Sequence, residues 1–372
     1  MQKLDTLAGL KQVYVVWKIL CVMPWCNYKK CSKIWLSLIF FFNITYTLGL
    51  LVDVILCESL EQGLYNSPFY FGCPVDSAKY FIIYFMRHEL WKLKDLFSLL
   101  DEHITLEEDK ALMRSAIKKV QWIITAYQIL IWLLVYSRII AFLQTRGEIF
   151  IIPVEFPFGG IINVSVFKLI VVHFLGFQNV TSDIYAPCFF ILLNGHMKIL
   201  TRRLSKISGK KKSHQFNLDL KACIENHVII LRIYNTLKAV ISKTFFIQIV
   251  ISSVSICVDI LSIATMSLTN GETVFLITYS CILFTEILPI CYYADQFLSL
   301  SEAFADTAYA TGWVDQDRNF RIAILFMIQK SQNPEFILAG GIVQICLPTF
   351  LFVVRLAYST SAILVNVLYQ DI

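Results

Sequence analysis

Seven runs of about 20 apolar residues constrain this chain more than any other feature. They lie at 34–57, 69–90, 120–143, 161–193, 240–266, 272–298 and 336–369. A helix of about 20 residues crosses the ~30 Å hydrocarbon core of a bilayer. Inside lipid the backbone must satisfy its own hydrogen bonds, which a helix does within one segment. Composition agrees: 57% of residues are hydrophobic and only 16% charged, against roughly a quarter charged in a soluble globule. Mean hydropathy is +0.65. The sequence therefore predicts an all-α membrane protein with seven transmembrane helices. The second run is the weakest, because it carries Lys79 and Arg87; the fourth is longer than a bilayer and should project beyond it.

The cations set an orientation. Lys and Arg accumulate on cytoplasmic loops. Here they crowd the N-terminal arm (Lys3, Lys11, Lys18, Lys29, Lys30, Lys33), the stretch from Lys92 to Lys119, the stretch from Lys198 to Lys243, and the loop holding Arg318, Arg321 and Lys330. The alternate loops are nearly bare: Glu58 and Glu61 follow the first run, "SLTNGE" follows the fifth, and Arg146 stands alone after the third. This asymmetry predicts a cytosolic N-terminus and, with seven spans, an extracellular C-terminus. It also explains the net charge of +5 without nucleic acid.

That orientation argues against a G-protein-coupled receptor, whose N-terminus is outside, and the acidic-Arg-aromatic triplet of that class is absent. A secondary transporter would show two similar halves with paired broken helices, and no such symmetry is visible. No HExxH, GxSxG or phosphate loop points to an enzyme. The 11 cysteines are scattered, without zinc or redox spacing, so no metal or cofactor is expected. Cys57 and Cys73 flank one short loop and could bridge if that loop is extracellular. Residues 1–33 read as an amphipathic arm at the membrane surface, without a secretory signal pattern. Asp53, Lys168, Asp259, Glu286 and Arg355 are ionisable residues within or beside spans, each either functional or a satisfied interior pair.

The last stretch carries a resemblance. Tyr309 and Trp313 form a Tyr-x-x-x-Trp pair, followed by a basic helix ending in Gln-Lys-x-x-x-Pro, then Ala-Gly, Thr349-Phe350, a basic residue and Tyr358-Ser359. In order and spacing this resembles the C-terminal region of insect odorant receptors. The resemblance implies an odorant-gated, non-selective cation channel assembled as a heterotetramer with the family's co-receptor. The co-receptor's long insertion before its last spans is missing, so the chain resembles a tuning subunit. The resemblance further implies a cytosolic anchor region at 299–334 and a pore-lining helix at 335–372, after spans one to six at 34–298. Two stretches fit an anchor in their own right. "DLKACIENHVIILRIYNTLKAV" is amphipathic, and "RNFRIAILFMIQ" places Phe320, Ile324, Met327 and Ile328 on one helical face.

By the same resemblance the odorant pocket lies among the outer halves of the second to sixth helices. The second offers Phe69, Phe71, Cys73, Val75 and Tyr80. Trp132, Tyr136 and Ile139 share one face of the third. The fourth offers Phe167, Ile170, His173, Phe174 and Phe177, and the sixth Thr278, Tyr279 and Ile282. In a membrane protein, single aromatics more often face lipid or the interface. His173 could bond a ligand or a helix neighbour. This set holds no carboxylate or strong cation, which predicts a small neutral volatile ligand, aromatic or heterocyclic rather than acid or amine. Alignment on Thr349-Phe350 and Tyr358-Ser359 puts the family's gate at Ile363, Asn366 and Val367, which share one helical face. Arg355, eight residues earlier, stands about 12 Å toward the cytosol.

Overall fold

The computed structural model describes the backbone of residues 4–23, 29–57, 59–144, 161–207, 214–332 and 336–370. It is a bundle of helices with one small hairpin. The elements are α1 (Lys11–Ile19), α2 (Lys29–Leu56), α3 (Leu60–Phe85), α4 (Arg87–Glu102), α5 (Glu107–Gln144), α6 (Ile161–Asp183), α7 (Tyr185–Ile207), α8 (His214–Thr265), α9 (Asn270–Tyr309), α10 (Arg318–Gln332), β1 (Leu338–Ala339), β2 (Val343–Gln344) and α11 (Leu347–Gln370). Six stretches of helix among the described residues are long and apolar enough to cross a membrane. The remaining candidate, α3, is as long but carries Asp76 and Lys79.

Several helices outrun the bilayer. The 52 residues of α8 extend about 78 Å at ~1.5 Å per residue, more than twice the hydrocarbon thickness. The stretch "DLKACIENHVIILRIYNTLKAV" is thus the lower part of the fifth span's own helix. Its polar face tolerates water and its apolar face packs on α4 and α7. The fourth run divides: α6 ends at Asp183 and α7 begins at Tyr185. The second run is shifted. Helix α3 begins at Leu60, capped by the Ser59 hydroxyl accepting from the Gln62 amide at 3.2 Å, and stops at Phe85. Pro68 and Pro74 lie inside it, and each removes one ladder hydrogen bond.

The N-terminal arm is amphipathic, but its apolar face is used inside the protein. Leu10, Val13 and Trp17 are buried in the main core. The Thr6 amide donates to Asp101 at 2.8 Å, and the Trp17 indole to the Thr181 carbonyl at 3.4 Å. The expected face of α10 is likewise buried within the chain, with Phe320, Ile324, Met327 and Ile328 packed on α9, while Ile322, Leu325 and Phe326 are exposed.

The last span starts later than its hydropathy suggests. The apolar run from 336 first makes the β1–β2 hairpin, and α11 begins only at Leu347. Gly340 and Gly341 turn it with φ of +59° and +78°, a region that L side chains rarely adopt. The Gly340 amide donates to the Ser242 carbonyl at 2.8 Å, which ties the turn to α8. A Cβ at Gly340 would stand 2.7 Å from the Phe246 ring.

Candidate functional site

Helices α3, α5, α6, α8 and α9 surround a cavity of about 100 Å³, several times the room one buried water needs. Its length follows from helical register: Phe69 to Lys79 on α3 and Phe275 to Glu286 on α9 each correspond to about 15 Å. The middle is apolar, walled by Ile131, Val135, Leu175 and Ile251. The two ends differ in chemistry.

At one end stands Arg138, buried on α5. Its guanidinium lies over the rings of Tyr65 (4.2 Å), Phe275 (5.0 Å) and Phe69 (5.1 Å) and donates to Asn66 Oδ1 at 3.0 Å. A desolvated cation over aromatic faces is held by their quadrupoles. The Phe69 and Phe275 rings stack 6.0 Å apart and help close this end.

At the other end five helices supply an ionic network. Lys79 Nζ stands 2.6 Å from Asp183 and 2.8 Å from Asp76, and donates to Gln248 Oε1 at 2.8 Å. Glu286 accepts from the Tyr127 hydroxyl at 3.2 Å, from Asn179 at 3.0 Å and from the Gln248 amide. Asn179 also donates to Asp76 at 3.1 Å. A second cavity, of about 20 Å³, lies beyond this network beside Asp183, Tyr185 and Thr244. Between the two ends, the hydroxyls of Ser255 and Tyr279 border the main cavity. Tyr279 lies across Gly72: a Cβ there would be 3.2 Å from its hydroxyl.

Of the residues singled out from the sequence, Phe69, Cys73, Val75, Tyr279 and Ile282 line this cavity. The others lie elsewhere. Phe71 is half-buried on α3. Tyr80 points at the N-terminal arm, its hydroxyl donating to the Leu20 carbonyl at 2.9 Å. Trp132, Tyr136, His173 and Phe177 make an aromatic cluster between α5 and α6, with His173 5.5 Å from the Trp132 ring. Phe174 meets Phe42 edge-on at 4.9 Å, Ile139 packs beside Tyr46 and Leu50, and Thr278 donates within its own helix to Val274. The side chains of Phe167 and Ile170 lie outside the described residues. The reason is rotational. Trp132, Tyr136 and Ile139 form a proper helical stripe, but α5 turns the adjacent stripe, Ile131, Val135 and Arg138, toward the cavity. One residue is 100° of helix rotation.

Sequence reasoning named no pocket residue on α8, yet Gln248, Ser252 and Ser255 line the cavity. Their i, i+4, i+7 spacing as polar residues in an apolar run is a readable signal. The expected absence of charge does not hold for this cavity, since Asp76, Lys79, Glu286 and Arg138 all border it. Asp259, the other carboxylate inside a late span, is fully buried and accepts from Ser280 at 2.9 Å. Cys57 and Cys73 are free thiols. Cys57 donates to the Ser59 carbonyl at 3.2 Å, and Cys73 accepts from the Tyr46 hydroxyl at 3.9 Å. Among the described residues no cluster of His, Cys, Asp and Glu could hold a metal ion.

On α11, Val353, Ala357 and Ser361 form the buried stripe, while Ile363 and Asn366 are exposed. Arg355 is exposed as well, so it burdens no core; the side chain of Val367 lies outside the described residues.

The chain is thus a nearly all-helical membrane bundle around a small-molecule-sized cavity. A family model described as 7tm Odorant receptor matches residues 59–358. Odorant receptor 33b of Drosophila melanogaster is 24% identical over 328 residues, covering 86% of each chain. Odorant receptor 2a of the same species is 24% identical over 335 residues, covering 84% of this chain and 82% of that one. Among solved structures, the insect olfactory receptor OR5 from Machilis hrabei in complex with eugenol superposes with a TM-score of 0.83. It is 16% identical, and the match covers 98% of this chain and 100% of that one. This chain belongs to the 7tm odorant receptor family.

Proposed function

We propose that the chain is the odorant-binding subunit of a ligand-gated, non-selective cation channel in a sensory-cell plasma membrane. Its odorant site is the cavity between α3, α5, α6, α8 and α9, and its pore-lining element is α11. The observation that carries this reading is a cavity with an apolar middle and polar ends, in a chain of the odorant receptor family. Apolar walls with a few oriented polar groups are what a small volatile ligand requires. The channel forms as a heterotetramer with the family's co-receptor. The loop cations support a cytosolic N-terminus and an extracellular C-terminus. The exposed Ile363 and Asn366 on α11 fit a gate built from apolar rings and a neutral dipole, which favours no ion strongly.

The test is expression with and without the co-receptor, against a panel of volatiles. Odorant-evoked cation current within milliseconds, dependent on the co-receptor and insensitive to G-protein block, is the expected result. Filling the cavity with Ile131→Trp should abolish it while the complex still reaches the surface. Currents that persist in that variant with unchanged potency would reject this cavity as the odorant site.

A further inference from the structure

We propose that the preferred ligand is a small amine bound in its ammonium form, with its nitrogen at the Glu286 end and its apolar body toward Phe69 and Phe275. The proposal rests on the reading of this cavity as the odorant site.

Charge balance is the first ground. Three carboxyl groups, Asp76, Asp183 and Glu286, meet one cation, Lys79. Lys79 stands within 2.8 Å of both aspartates. Glu286 is held by the neutral donors of Tyr127, Asn179 and Gln248, and among the described residues no Lys or Arg lies at ion-pair distance from it. Burial keeps a carboxyl without a cation in its neutral form, and an added cation restores the charged form, because an uncompensated buried charge is costly.

Geometry is the second. The Asn179 amide donates to Glu286 at 3.0 Å and to Asp76 at 3.1 Å. Both carboxylates therefore flank the Asn179 amide, and all three residues border the main cavity. A carboxylate offers about four acceptor sites. Glu286 uses three of them. A primary ammonium, with three donors, can reach both carboxylates from the cavity side. The remaining charged group that borders the cavity is Arg138, about 15 Å away along the helices. It repels an ammonium at its own end and so fixes the ligand's direction.

The experiment uses the channel complex with the co-receptor and a matched trio: 2-phenylethylamine, 2-phenylethanol and propylbenzene. The amine should be at least about tenfold more potent than the alcohol, the factor expected of one charge-assisted hydrogen bond. Glu286→Gln should remove that advantage, read as the ratio of amine to alcohol potency within the same variant. The wild-type comparison needs no variant, so a poorly folding Glu286→Gln leaves the proposal testable. An amine no more potent than its alcohol in the wild-type channel overturns it. If the neutral pair activates and Ile131→Trp silences that response, the cavity reading stands and only the ligand class fails. If none of the three activates a surface-expressed complex, the amine proposal fails, and Ile131→Trp tested against the volatiles that do activate it decides the cavity reading.

Discussion

The ammonium of Lys79 stands 2.6 Å from the carboxylate of Asp183, the last residue of α6 before the chain restarts as α7. This one contact ties α3 to the break in the fourth span, in a place both side chains reach only by leaving water. Replacing Lys79 by Met strands two aspartates, and breaking a buried pair from one side costs about 3–5 kcal/mol. Lys79→Met should therefore lose surface expression, whereas Lys79→Met combined with Asp76→Asn and Asp183→Asn should regain part of it. Surface labelling of the co-expressed complex reads both. A single variant that reaches the surface like wild type would show the pair to be dispensable.

The Tyr279 hydroxyl borders the cavity and lies against Gly72. Tyr279→Phe should change thermal stability by no more than about 1 kcal/mol, the net worth of a single neutral hydrogen bond. Gly72→Ala should cost about 1–3 kcal/mol by overpacking, and Tyr279→Phe in the same chain should restore part of it. Thermal melts of the solubilised complex, and dose–response curves for hydroxylated and plain ligands, give the answer.

Gly340 combines a left-handed backbone with a neighbouring ring that leaves no room for a Cβ. Gly340→Ala should destabilise the β1–β2 turn by at least about 1–2 kcal/mol from the backbone term alone. Gly341 has a similar φ but nothing within 4 Å, so Gly341→Ala should cost less. The difference between their melting temperatures isolates the Phe246 contact.

Replacing Ile363 or Val367 by Ser should raise resting current or alter permeability ratios in the co-expressed channel, since apolar constrictions gate by dewetting. The same change at Leu364 should matter less. Unchanged basal current and selectivity in all three would remove this part of α11 from the pore wall.

An epitope tag after Ile372 should be labelled on intact cells. Labelling only after permeabilisation would reverse the orientation inferred from the loop cations.

Class, helix number and family were legible in the linear chain, because each depends on properties that sum along it. Length and apolarity of a run decide whether it can cross a bilayer, and "AYATGWVDQDRNFR" with the Thr349-Phe350 and Tyr358-Ser359 pairs carries the family resemblance. The buried face of α10 was legible too, since Phe320, Ile324, Met327 and Ile328 fall at i, i+4, i+7, i+8 on one face. What tertiary structure alone decided is rotation and start point. On α5, Trp132 and Ile131 are equally apolar, and only packing against α6 and α9 selects which of the two stripes meets the cavity. At 336 hydropathy continues unbroken, yet two glycines and a bond to Ser242 on α8 make a hairpin before α11 begins. The ionic end was hidden for the same reason. Asp76, Lys79, Asn179, Asp183, Gln248 and Glu286 are scattered over more than half the chain, and a charge reads as a defect in a span until the fold brings its partners within 3 Å.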